Sequence, residues 1–163
     1  MLAIREANDS ADIAKARELF LEYRRGLGVD LCFQHFDEEL AALPGRYARP
    51  TGRILLAIDG ESILGVAALR ALDGGDCEMK RLYVRSEGRG LGVGRLLANT
   101  LIGEARLAGY RRMLLDTLPD MGRAQALYRS IGFQEIAPYC DNPIAGTLYM
   151  ALDLLSRASE RRE

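Results

Sequence analysis

Between residues 85 and 95 the chain reads Arg85-Ser86-Glu87-Gly88-Arg89-Gly90-Leu91-Gly92-Val93-Gly94-Arg95, with four glycines on alternate positions. A β-rich segment, residues 77–84, precedes this run. After it, apolar residues recur at Val93, Leu96, Leu97, Leu101, Ala105 and Ala108 with helical spacing, closed by Gly109. The chain therefore passes from strand to helix through a turn that lacks a side chain at every second position. Such a backbone can take positive φ and approach a ligand closely. The first turn of the helix also has N–H groups without intrahelical partners and the positive end of the dipole, which suits an anion. Arg89 and Arg95 can add charge-assisted contacts to phosphate oxygens. The alternative reading is a flexible surface connection, but each glycine costs roughly 0.5–1 kcal/mol of order relative to alanine.

Two familiar phosphate-binding patterns fail on inspection. A dinucleotide fingerprint needs glycines at its first, third and sixth positions, and neither Gly88-Gly90-Val93 nor Gly90-Gly92-Arg95 supplies them. A Walker loop ends in Gly-Lys-Ser/Thr, which is absent here.

Around the turn the periodicity predicts a strand over residues 2–6 and a helix from caps at Asn8-Asp9-Ser10 through Ile13, Ala16, Leu19, Phe20, Tyr23 and Leu27 to Gly28. A short helix over residues 37–43 ends at Pro44-Gly45, and residues 46–52 form a loop. A meander follows: a strand over residues 53–58, a two-residue hairpin turn at Asp59-Gly60, a returning strand over residues 62–72, and a turn at Asp73-Gly74-Gly75. Beyond the central helix come a strand over residues 112–116, a helix carrying Ala124, Leu127, Tyr128 and Ile131 on one face, and closing strands over residues 133–136 and 147–152. The expected fold is a mixed α/β domain: a central, mostly antiparallel twisted sheet of six to seven strands flanked by about four helices. One domain over residues 1–155 precedes a charged tail, residues 156–163.

Composition removes several functional classes. The formal net charge of −1 gives no overall basic field, so no nucleic-acid partner is expected. No apolar run reaches the ~18 residues of a membrane span, and residues 1–6 lack the basic-then-apolar pattern of a secretory leader. Cys32, Cys77 and Cys140 are odd in number and widely spaced, which suits a reducing cytoplasm and argues against disulfides and zinc. His35 is the sole histidine and has no catalytic motif beside it, so no metal is expected. It is read as a surface or capping residue. Cys77 and Cys140 are read as small buried side chains, and the pairs Arg24-Arg25 and Glu38-Glu39 as solvated helix faces.

The segment Arg89-Gly90-Leu91-Gly92-Val93-Gly94 resembles the central motif R/Q-x-x-G-x-G/A of the GNAT superfamily of N-acetyltransferases. Downstream, Ala124, Leu127, Tyr128, Gly132 and Phe133 are similar to that family's N-x-x-A-x-x-L-Y-x-x-x-G-F pattern, with Met121 where asparagine is usual. The resemblance implies acetyl-CoA as co-substrate and a small amine, amino acid or peptide as acceptor. It implies that the strand residues Leu82, Tyr83 and Val84 flank the pantetheine arm. The turn Arg89, Gly90, Leu91, Gly92, Val93, Gly94 and Arg95 would hold the pyrophosphate, with Arg123 as a further cofactor contact. It implies a notch between the strand over residues 78–84 and that over residues 112–116.

By the same resemblance Tyr128 is the acid that protonates the departing thiolate, and Glu78 is the base, acting with a raised pKa or through a water relay. The residues themselves leave other readings open: Tyr128 as a core aromatic, and Glu78 as a solvent-facing charge or a partner of Lys80 or Arg81. Residues 28–36, with Asp30 and Gln34, are expected near the acceptor. The stretch 138–146 carries no chemistry legible in its residues. Homodimers are common in the resembling family, and the residues leave the quaternary state open. A catalytically silent acyl-CoA-binding sensor is the alternative to an enzyme.

Overall fold

The computed structural model describes residues 1–28 and 35–155; Cys32, Asp30, Gln34 and the tail over residues 156–163 lie outside the described residues. Strand β1 (Leu2–Glu6) leads into helix α1 (Ser10–Leu27), which starts where the Asp9 side chain accepts from the Asp12 N–H and ends at Gly28 with φ +66°. Helix α2 (Phe36–Ala42) follows, and then strands β2 (Arg53–Asp59), β3 (Ser62–Ala71) and β4 (Asp76–Val84). The glycine turn delivers the chain to helix α3 (Val93–Leu107). Strand β5 (Arg112–Thr117), helix α4 (Gly122–Ile131) and strands β6 (Gln134–Ile136) and β7 (Leu148–Asp153) complete the fold.

The seven strands form one sheet in the order β1-β2-β3-β4-β5-β7-β6. Every neighbouring pair is antiparallel except β4 with β5. Strand β2 shows why the core is double. Ile54, Leu55, Leu56 and Ala57 are all buried, an unbroken apolar run of the kind expected of a strand covered on both faces. Ile54 and Leu56 join Phe20, Leu19, Phe36 and Tyr47 beneath α1 and α2. Leu55 and Ala57 join Leu97, Leu101, Met79 and Met113 beneath α3.

Two bulges set the register. Between Ala57↔Gly65 and Ile58↔Ile63 the pairing of β2 with β3 shifts by one residue. The hairpin therefore closes with Asp59 paired to Ser62, and its central residues are Gly60 and Glu61 rather than Asp59 and Gly60. Gly60 takes the positive φ of +61° that this turn needs. The second bulge places Arg81 and Leu82 opposite Ala67. Arg81 sits there at φ +61°, a conformation that a side chain with a Cβ adopts only under constraint. Its guanidinium supplies the constraint: it donates to both Glu39 carboxylate oxygens, at 3.0 and 3.1 Å, and lies 4.7 Å from the centre of the Phe36 ring. Glu39, its side chain 14% exposed, is thus an ion-pair partner of Arg81 and not part of a solvated helix face. Arg24 likewise stacks on Phe36 while pairing with Asp37.

Candidate functional site

β4 and β5 pair in parallel only through Asp76↔Arg112, Cys77↔Met113 and Glu78↔Leu114. Beyond Glu78 both strands continue without pairing to each other, and the sheet opens into a notch of the kind the family resemblance implies. Tyr23, Leu82, Thr117, Met121 and Tyr128 line it, together with Lys80, Asp116 and Asn142. A wider cleft continues along β4, past the glycine turn, to the start of α4. Leu82, Tyr83, Val84, Arg89, Gly90, Gly92, Val93, Gly94, Arg95 and Arg123 all line this cleft. Leu91 does not; its side chain is exposed.

Local geometry decides which parts of the turn can meet an anion. The N–H groups of Arg89 and Leu91 bond back to the carbonyls of Ser86 and Gly88, which closes the turn on itself. Gly90 and Gly92 stand at φ +80° and +78°, and no side chain caps α3 at Gly92. The first amides of α3 thus lack a side-chain cap, and Val93, Gly94 and Arg95, which carry them, line the cleft at the positive end of the helix dipole. Arg95 is anchored by donating to Ser130 Oγ of α4 at 2.8 Å. An open groove ending at an uncapped helix start, beside arginines, fits the pyrophosphate of coenzyme A and its extended pantetheine arm. Among the described residues no cluster of potential metal ligands occurs.

The fold and this groove define a coenzyme A-dependent N-acyltransferase. The Acetyltransferase (GNAT) family model matches residues 13–133, and the chain belongs to that family; it is an acetyl-CoA-dependent N-acetyltransferase. An uncharacterized N-acetyltransferase of Schizosaccharomyces pombe is 43% identical over 145 residues, which span 88% of this chain and 89% of the relative. The fold is similar to a GNAT-family acetyltransferase of Staphylococcus aureus, with a TM-score of 0.78 at 21% identity over 94% of this chain and 99% of that one. A Salmonella typhimurium protein solved with acetyl-CoA aligns with a TM-score of 0.70 at 25% identity, over 94% of each chain.

Of the two candidate catalytic residues, Tyr128 lines the notch, whereas Glu78, on the other face of the sheet, is not among the residues that line it. Tyr128 comes from α4, packs on Phe133 in the α3-side core and lines the notch. Burial, with Tyr23 and Asp116 nearby, pushes its phenol well above the ordinary 10.0. Glu78 is almost fully buried. Arg70, directly opposite it on β3, donates from Nε to Oε1 at 2.7 Å, and Tyr139 donates from its hydroxyl to Oε2 at 2.5 Å. Both carboxylate oxygens are therefore engaged.

Several functional neighbours were not legible in the sequence. Lys80 and Asp116 face each other across the notch, with Nζ 3.7 Å from Oδ1. The stretch 138–146 supplies Tyr139 to Glu78 and Asn142, whose Nδ2 donates to Asp116 Oδ2 at 3.2 Å. Tyr23 comes from α1 and borders both notch and cleft. Met121, in place of the usual asparagine, stands at the start of α4 without a capping hydrogen bond and lines both spaces. The cysteines take different places. Cys77 is buried, its thiol pushed up to about 12 chiefly by burial. Cys140 is exposed, contrary to the buried position expected of it, because it lies in the loop that reaches over Glu78 rather than in a strand. His35 precedes α2 at the surface, makes no capping hydrogen bond, and has Nδ1 3.4 Å from Glu38.

Proposed function

We propose that the chain moves the acetyl group of acetyl-CoA to a primary amine of a small molecule, an amino acid or a peptide, by direct attack within a ternary complex. The observation that carries this reading is the split between β4 and β5, with a phenol on one side and a carboxylate–ammonium cluster on the other. Acetyl-CoA, when bound, supplies an activated thioester. Leu82 and Val84 border its arm, and the amides at the start of α3 hold its pyrophosphate.

An aliphatic amine with a pKa of ~10.4 is neutral at pH 7 only at a cost of about 4.6 kcal/mol, so the site must remove a proton from the acceptor. Glu78 serves this step through a relay, since Arg70 and Tyr139 already occupy its oxygens. Tyr128 stays protonated through the neutral range and donates to the departing sulfur. Direct transfer is favoured over an acyl-enzyme because Cys77 is buried with a raised pKa and Cys140 is exposed in the loop, outside the residues that line the notch.

The test is acetyl-CoA turnover against a panel of amines, reading thiol release together with the acetylated product. Amine-dependent release supports the reading. Binding of acetyl-CoA with no turnover on any amine favours a silent acyl-CoA-binding module instead.

A further inference from the structure

We propose that Lys80 is the group that meets the acceptor: its amine takes the proton of the acceptor ammonium, and Asp116 holds it in the notch for that purpose. This rests on the N-acetyltransfer reading above and departs from it at one point: Lys80 takes the acceptor proton in place of Glu78, whose charge acts on Lys80.

Three independent observations support it. The first is access. Lys80 and Asp116 line the notch, whereas the Glu78 carboxylate sits behind them with one oxygen on Arg70 and the other on Tyr139. A proton sent directly to Glu78 would have to displace one of those partners. The second is position along the strand. Met79 faces the α3-side core, so Glu78 and Lys80 lie on the opposite face of β4; Met113 and Leu115 likewise put Asp116 on that face of β5. Tyr128 approaches from the α3 side. A thioester lying in the split would have Lys80 on one side and the Tyr128 phenol on the other.

The third observation is the choice of cation. Of the 22 lysines and arginines in the chain, only Lys15 and Lys80 are lysines. Lys15 is exposed on α1, while Lys80 is 7% exposed. Among the described residues the other buried cations, Arg53 and Arg81, are arginines with carboxylate partners. A guanidinium remains charged in such a site, whereas an amine can lose and regain a proton. The groups around Lys80 are Arg70 from β3, Glu78 and Arg81 from β4, Asp116 from β5, Tyr23 from α1, Tyr128 from α4, and Tyr139, Cys140 and Asn142 from the loop. Burial depresses the lysine pKa, Glu78 and Asp116 oppose that, and the net direction is down.

The step balances. The acceptor ammonium passes one proton to the Lys80 amine, and its freed lone pair forms the new C–N bond at the thioester carbonyl. Collapse breaks the C–S bond and leaves the electron pair on sulfur. Tyr128 gives its proton to sulfur and regains one from the nitrogen that has just acquired the acetyl group. Lys80 returns its proton to solvent. One ammonium and one thioester thus become one amide, one thiol and one released proton.

The experiment compares pH profiles of kcat for the wild-type chain, Lys80→Arg and Asp116→Asn, with an amine that the wild type acetylates and with desulfo-CoA affinity as a check on folding. Lys80→Arg keeps a cation beside Asp116 but cannot act as the base. Its kcat at pH 7 is expected to fall ~100-fold, with the gap closing as rising pH deprotonates the acceptor in solution. Asp116→Asn removes a charge that favours the ammonium form, so its acid limb is expected to move to lower pH. Wild-type kcat in Lys80→Arg at every pH would overturn the proposal. So would a loss that is the same at every pH, or a change confined to the acceptor KM. If Lys80→Arg fails to bind desulfo-CoA, an unmoved acid limb in Asp116→Asn overturns it. A wild-type chain that binds desulfo-CoA and acetylates no amine defeats the functional reading itself, and this proposal with it.

Discussion

The hydroxyl of Tyr139 donates a 2.5 Å hydrogen bond to Oε2 of Glu78, across 61 residues of sequence. It turns the loop before β7 into a lid on a buried carboxylate whose other oxygen is paired with Arg70. Tyr139→Phe withdraws a donor from a charged group that water cannot readily reach. The expected loss of unfolding free energy is about 1–3 kcal/mol, measured by denaturant titration with an unchanged slope. An unchanged midpoint would show that the hydroxyl contributes nothing to the network.

Tyr128→Phe keeps the ring against Phe133 and removes only the phenol oxygen. Turnover is expected to fall ~100-fold, as for loss of a general acid, while desulfo-CoA affinity stays within about threefold of wild type. Equal kcat in the two proteins would remove Tyr128 from proton transfer.

Arg81 combines a left-handed backbone with a buried ion pair to Glu39. Both Arg81→Ala and Arg81→Gly lose the pair, and each is expected to lose about 3–5 kcal/mol. Glycine in a strand is ordinarily worse than alanine. At φ +61° the order reverses, and Arg81→Gly is expected to be more stable than Arg81→Ala by about 1 kcal/mol. Thermal unfolding of the pair gives the sign.

Glu22 on α1 ties that helix to the far end of β4: its Oε2 accepts from Arg85 Nη2 at 2.5 Å, and Tyr83 donates to its Oε1 at 3.3 Å. The Arg85 hydrogen bond holds the Glu22 carboxyl below its ordinary 4.5. A pKa lowered on folding contributes stability above 4.5 that is lost as pH falls through the lower folded value. Glu22→Gln is therefore expected to cost at most about 1 kcal/mol at neutral pH, because the pair is partly exposed, and nothing once the carboxyl is protonated. Stability curves measured against pH should converge at the acid end.

What could be read from the residues follows the range of the interactions. The passage from β4 through the glycine turn to α3 is local, so glycine alternation and helical spacing were enough to place it. The element order was legible for the same reason. The two bulges were not, because a register shift depends on the partner strand: it moved the hairpin turn to Gly60-Glu61 and put a non-glycine residue, Arg81, at positive φ. Glu78 was visible as a strand residue, but its pairing with Arg70 follows from the β3–β4 register. The Lys80–Asp116 pair and the Tyr139 and Asn142 contacts join segments 26 to 61 residues apart, and no local pattern announces them.

The coenzyme A groove is tested most directly by calorimetric titration of the wild-type chain and of Gly92→Ala with desulfo-CoA. Gly92 stands at φ +78° where α3 begins, and an added Cβ would meet no neighbour within 4 Å, so the substitution acts through the backbone alone. Wild-type binding with a Kd on the order of micromolar, weakened about tenfold or more in Gly92→Ala, is the expected result. No binding by the wild type, or equal affinity in the two proteins, would contradict a pyrophosphate held by the first amides of α3.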